Sequence, residues 1–154
     1  MSFTNGPAFI RSADNPELAL SVAAYPPRGD VTLENVPADD WNSPLSQWVF
    51  APVAEDVYQI LLFASSNHLC LTPASASVGS TVGVEDTDPT NELQLWKLTG
   101  ADDLYWLSSA SSPMTELGFA GDFPVPGMTL GLEPAHDKHA LGDKFTITRA
   151  QFPA

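Results

Sequence analysis

VTLE at Val31–Glu34 returns as VGVE at Val82–Glu85 and again as LGLE at Leu130–Glu133. The steps between copies are 51 and 48 residues. A second series keeps the same pace. QWVF at Gln47–Phe50, LWKL at Leu95–Leu98 and KFTI at Lys144–Ile147 place Trp48, Trp96 and Phe145 at steps of 48 and 49. Ahead of each VTLE-like element stand Leu18-Ala19-Leu20, Leu69-Cys70-Leu71 and Leu117-Gly118-Phe119. Ahead of those stand Phe9-Ile10, Tyr58-Gln59-Ile60 and Tyr105-Trp106-Leu107. Four short elements thus recur three times in one order. Self-similarity at this period marks a repeat architecture whose single unit cannot bury its own apolar face.

Each element alternates apolar and other residues over four or five positions, the period of a strand. Pro, Gly, Ser, Asn and Asp fill the gaps, as turns require. No amphipathic helix of useful length is visible. The expectation is an all-β chain of twelve strands, in three four-stranded repeats related by pseudo-threefold symmetry. It forms one domain over 1–154, with repeats at about 8–53, 54–101 and 102–150.

The chain has 154 residues, enough to bury a core without covalent staples. The lone cysteine, Cys70, excludes an intrachain disulfide and fits a reducing compartment. The N-terminal MSFTNGPAFIRS lacks the basic start and apolar run of a signal peptide, so the expected location is cytoplasmic. Net charge is −13, with Arg11, Arg28, Lys97, Lys138, Lys144 and Arg149 the only Lys and Arg residues. Such a chain is repelled by phosphate backbones and anionic lipid, which argues against nucleic-acid and membrane partners.

No catalytic constellation assembles, so an enzyme is not expected and no cofactor is implied. His136 and His139, with Asp137 and Asp143, have metal-ligand chemistry, but their segment reads as a solvated loop rather than a helix. No metal is expected there. Ser108, Ser109, Ser111 and Ser112 carry no nucleophile motif. Cys70 lies in an apolar strand and reads as core.

Three repeats near fifty residues, with QLW at Gln94–Trp96 closing the second, resemble the β-trefoil superfamily over Phe9 to about Arg149. That fold hosts lectins, growth factors and protease inhibitors alike. In trefoil lectins of the ricin-B kind, the resemblance implies a galactose site built on a second-strand Asp and a polar residue before the closing QxW. By spacing, the second-strand positions here are Ser21, Thr72 and Ala120, and the residues before the closing motif are Leu45, Leu93 and Gly142. Both polar partners are missing in all three copies. Asp40-Trp41-Asn42 is a separate candidate for an unshared sugar site.

The segment AAYPPRGD, Ala23–Asp30, falls between the second and third strands. Pro26 and Pro27 fix their own φ and hold the residues before them extended. A loop held in that shape loses little entropy on entering a protease cleft. This arrangement resembles the β-trefoil mushroom trypsin inhibitors, the mycospin family. The resemblance implies a fungal defence protein: a serine protease inhibitor of trypsin-like enzymes, monomeric, with a substrate-mimicking loop. Tyr25, Pro26, Pro27, Arg28, Gly29 and Asp30 would form that loop, with Arg28 as P1 and Arg28–Gly29 as the scissile bond. Lys138, between the eleventh and twelfth strands, is the second candidate for P1. The alternative is a carbohydrate-binding trefoil lectin, and a third reading is an inhibitor of cysteine proteases.

Overall fold

The computed structural model describes residues 7–22, 31–36, 44–65, 68–88, 90–101, 104–111, 114–119, 124–134 and 145–149. The strands are β1 (Ala8–Ser12), β2 (Leu18–Val22), β3 (Val31–Asn35), β4 (Trp48–Ala54), β5 (Val57–Leu62), β6 (Leu69–Pro73) and β7 (Val82–Asp86). They continue as β8 (Trp96–Ala101), β9 (Leu104–Ser109), β10 (Thr115–Gly118), β11 (Met128–Thr129), β12 (Gly131–Pro134) and β13 (Phe145–Arg149). The twelve-strand reading holds, with the eleventh strand divided at Leu130 into β11 and β12. The division has a simple cause. β11 pairs with β3 of the first repeat, whereas β12 pairs with β10 of its own.

Six strands close into a ring of antiparallel pairs, β1–β4, β4–β5, β5–β8, β8–β9, β9–β13 and β13–β1. The hairpins β2–β3, β6–β7 and β10–β12 cap one end of this barrel. β4 and β8 run away from the cap. The β4–β5 turn at Glu55–Asp56 and the start of β9 at Leu104 therefore lie at the opposite end.

The cap is tied together at its centre. Val31, Val82 and Leu130, the first residues of the three VTLE-like copies, are all buried. The Leu130 N–H donates to the Val31 carbonyl at 3.1 Å, and the Leu130 carbonyl accepts from the Val82 N–H at 3.1 Å. One residue thus links all three repeats through its backbone. Closing strands against one another in this way leaves no long unpaired edge.

Beneath the cap, Trp48, Trp96 and Phe145 are fully buried. Trp48 Nε1 donates to the Leu20 carbonyl at 3.0 Å, and Trp96 Nε1 donates to the Leu71 carbonyl at 3.0 Å. Each indole packs in the core and also ties its barrel strand to its own cap hairpin. The third repeat uses Phe145, which has no N–H to give. These aromatics are structural. Arg11, only 4% exposed, is equally structural. Its guanidinium donates to the Pro16 and Val36 carbonyls at 2.9 and 2.7 Å and lies 4.7 Å from the Phe9 ring centre.

Cys70 is buried as expected, and desolvation pushes its thiol up to about 12 despite a backbone hydrogen bond that opposes the shift. At pH 8 only about one molecule in ten thousand would carry the reactive thiolate. An aromatic disulfide reagent at pH 8 should leave the native protein untouched for hours and consume one thiol per chain after guanidinium denaturation. Trp96→Phe removes the indole bond, strands the Leu71 carbonyl and opens a small void. It should lower stability by about 2–4 kcal/mol in urea unfolding while keeping the fold.

Candidate functional site

A cleft of about 670 Å³ opens in the second repeat. Its lining includes Thr72 on β6, Thr81, Gly83 and Glu85 on and beside β7, and Asp88 and Asn91 beyond it. The local sequence explains the shape. Register sets Thr72 opposite Gly83, so one side of that cross-strand pair has no side chain and the floor stays open. Beyond β7, the segment leading to the closing motif forms the wall.

Gln94 holds that wall. It is fully buried, its amide donates to the Asp86 carbonyl at 2.8 Å, and its Oε1 accepts from the Asp88 N–H at 2.8 Å. Asn91 caps the 3-10 turn Glu92–Gln94, its Oδ1 accepting from the Leu93 N–H at 3.0 Å. Asn91 also donates its own N–H to the Asp88 carbonyl at 3.0 Å. The Asp88 carboxylate accepts from the Thr90 N–H at 2.9 Å and from the Thr90 hydroxyl at 2.7 Å. These two bonds hold its carboxyl below the usual carboxylate range. A closing QxW motif therefore does more than supply a core tryptophan: its glutamine shapes the rim above.

Several polar groups on the lining are uncommitted. Among the described residues, the Glu85 carboxylate, the Thr81 hydroxyl and the Asn91 Nδ2 make no side-chain hydrogen bond. The Thr72 hydroxyl donates to the Cys70 carbonyl at 2.8 Å and keeps its acceptor capacity. The cleft thus offers a carboxylate acceptor, an amide donor and two hydroxyls across an open floor. Among the described residues, no Lys, Arg or aromatic residue lines it.

The equivalent cross-strand positions of the other repeats differ, for separate reasons. In the first, Ser21 pairs with Thr32 across the hairpin. The Ser21 hydroxyl is engaged with Ser46 at 2.6 Å, and Thr32 Oγ1 donates to Glu34 at 2.8 Å. Its polar groups satisfy one another. In the third, Gly118 stands opposite Gly131, and no polar side chain is present at either place.

That pairing corrects one sequence expectation. Leu117 stands opposite Leu132 as Leu71 stands opposite Val84, so the equivalent of Thr72 is Gly118, not Ala120. The sequence pattern slipped by two residues. A slip of two keeps every side chain on the same face, so alternation alone does not detect it. Ala120 and Gly142 lie outside the described residues, and Thr72 lines the cleft as its position implied. Asn91, three residues before Gln94, was not singled out. Its signal was legible as an Asn before a short turn, the usual N-cap chemistry.

Every residue of the proposed reactive loop, Tyr25, Pro26, Pro27, Arg28, Gly29 and Asp30, lies outside the described residues. So do Lys138, the His136–His139 cluster with Asp137 and Asp143, and Asp40-Trp41-Asn42. The strands flanking the Arg28 segment are in place: Val22 and Val31 are paired, so residues 23–30 connect the two strands of a hairpin. Of the serine cluster, Ser108 and Ser109 lie on β9, and Ser109 is fully buried.

No protein-family model and no curated protein sequence matches the chain. Solved structures do match it. A designed threefold-symmetric protein, ThreeFoil, superimposes with a TM-score of 0.76 at 14% identity, covering 94% of this chain and 99% of that one. The Macrolepiota procera ricin B-like lectin in complex with lactose gives 0.75 at 14% identity, with 97% and 99% covered. A mosquitocidal holotoxin gives 0.82 at 12% identity and covers 98% of this chain, which spans 18% of the toxin chain. At these identities the likeness concerns architecture alone. Six barrel strands, three cap hairpins and a threefold-symmetric match make this chain a β-trefoil.

Proposed function

We propose that the protein binds carbohydrate, through the cleft of its second repeat. The observation that carries this reading is the uncommitted polar set on an open floor: Glu85, Thr81, Asn91 and Thr72 around Gly83. A sugar presents hydroxyls that both donate and accept, and a carboxylate, an amide and two hydroxyls answer both. The cleft volume lies within the range of roughly 300–1,000 Å³ common to small-ligand sites. The fold's likeness to a lactose-bound ricin B-like lectin supports the same reading. With no aromatic residue among the described lining, the contacts there are polar and water-competed, so binding is expected to be weak for one sugar unit. Glu85, Asp86 and Asp88 make the cleft unsuitable for an anionic glycan.

A second reading, inhibition of a trypsin-like serine protease, rests on the Pro26-Pro27-Arg28 sequence and the hairpin that carries it. It and the carbohydrate reading use different parts of the molecule and are separable. Titrating trypsin with the protein and its Arg28→Ala variant tests it: stoichiometric inhibition by the first and none by the second is its expected outcome, and an inert wild type removes it.

Two substitutions test the cleft. Gly83→Thr installs the residue that the first repeat carries at the equivalent place and fills the floor. Asn91→Asp keeps the capping oxygen but removes the amide donor. By calorimetry with lactose and galactose, Gly83→Thr should abolish binding and Asn91→Asp should weaken it about tenfold, the loss of roughly one hydrogen bond. Unchanged binding by both variants would reject the cleft.

A further inference from the structure

A second cavity, of about 350 Å³, opens at the barrel end opposite the cap. It is lined by Asp56, Tyr58, Lys97, Thr99, Gly100 and Tyr105, drawn from β5, β8, β9 and the β4–β5 turn. Nothing in the repeat pattern of the cap produces it, and it shares no residue with the cleft of the second repeat.

Tyr58 is buried with its ring edge-on to Phe50 at 5.8 Å, and Tyr105 is half-buried against the same core, yet the barrel does not require a ring at this position. Tyr58 pairs with Trp96, Tyr105 with Phe145, and Ala8 with Trp48. These are the same position in the three repeats, and the first repeat fills it with a methyl group. The fold tolerates alanine where the second and third repeats carry phenol rings. The two rings stand on strands β5 and β9, with β8 between them in the ring of strands.

Polar groups converge on the same space. Asp56, in the left-handed backbone region at φ 60°, closes the β4–β5 turn, and its carbonyl accepts from the Leu98 N–H at 3.0 Å. That bond fixes the turn against β8. Lys97 is exposed and makes no ion pair with any carboxylate among the described residues. Thr99 is exposed and adds a hydroxyl. Gly100 cannot take a side chain, because a Cβ there would run into the Leu104 carbonyl. The wall of the cavity is therefore bare backbone at that point.

We propose that this barrel mouth is a second carbohydrate site, one that takes a neutral hexopyranoside. The apolar face of a pyranose lies against a tyrosine ring, while its hydroxyls donate to the Asp56 carboxylate and accept from the Lys97 ammonium and the Thr99 hydroxyl. One acidic and one basic group balance, so neither an anionic nor a cationic sugar gains from the site's charge. Barrel mouths are among the places where small-ligand sites form, and the volume suits a ligand of this size. With the cap cleft it would give one chain two sites at opposite ends, the geometry needed to bridge two glycans.

The test is an amide-resolved NMR titration of the labelled protein with methyl β-galactopyranoside, methyl β-glucopyranoside and methyl α-mannopyranoside. At least one should give saturable shifts at Asp56, Lys97, Thr99, Gly100 and Tyr105. Lys97→Met and Asp56→Asn should each weaken that response fivefold or more without changing the melting temperature. Gly83→Thr, in the cap cleft, should leave it unchanged. Saturable shifts at Thr81, Gly83 and Asn91 alone would overturn this second site while sustaining the first. A barrel-mouth response that survives both variants, or that vanishes with Gly83→Thr, would overturn it as well. Absence of any saturable shift would overturn both.

Discussion

The backbone of Leu130 is the point on which the architecture turns. Its N–H reaches the first repeat at Val31 and its carbonyl reaches the second at Val82. A buried amide must have both groups satisfied, and here the partners are the two equivalent residues around the pseudo-threefold axis. This requirement divides the eleventh strand, because its two ends serve different neighbours. It also closes the top of a barrel whose six strands already leave no free edge. The buried triad Val31, Val82 and Leu130 is the apolar counterpart of the same junction. Chains of this kind need non-local contacts throughout, since every repeat is completed by the other two.

Both proposed sites lie where the threefold pattern is broken rather than where it is kept. At the cap, one cross-strand position reads Ser21–Thr32, Thr72–Gly83 and Gly118–Gly131 in the three repeats. The first pair is consumed by hydrogen bonds to Ser46 and Glu34, and the last has no side chains to offer. Only the middle combination joins a hydroxyl to an empty place. At the other end the position reads Ala8, Tyr58 and Tyr105. Symmetry supplies the scaffold, and the departures from it turn polar groups into the cap cleft and set two tyrosines at the barrel mouth.

The repeat, the strand count and the buried aromatics were legible because each rests on side-chain periodicity. Trp48, Trp96 and Phe145 recur at nearly constant steps, and they occupy equivalent places in the core. The exact partner of Thr72 in the third repeat was not legible. Leu117-Gly118-Phe119 matches Leu69-Cys70-Leu71 as a pattern, yet register matches Leu117 to Leu71. Two-residue slips preserve the alternation from which such patterns are read. Arg11 was equally hidden. A basic residue in a strand gives no sign that two distant carbonyls, at Pro16 and Val36, will hold it inside. Asn91 and Gln94 shape the cleft through bonds to backbone, and nothing in a lone Asn or Gln names its backbone partner.

The acidic character of the chain separates the two openings chemically. The net charge is −13, and the cap cleft carries Glu85, Asp86 and Asp88 with no base among its described lining residues. Thr90 keeps the Asp88 carboxyl ionised to lower pH than an isolated aspartate would be. Such a site accepts hydrogen bonds freely and repels carboxylates and phosphates. The barrel mouth has one carboxylate and one ammonium, and its aromatic walls exclude more water. A hydrogen bond made there competes less with solvent and counts for more. The same monosaccharide would therefore be held differently at the two ends, by acceptors on an open floor at the cap and by ring contact at the mouth.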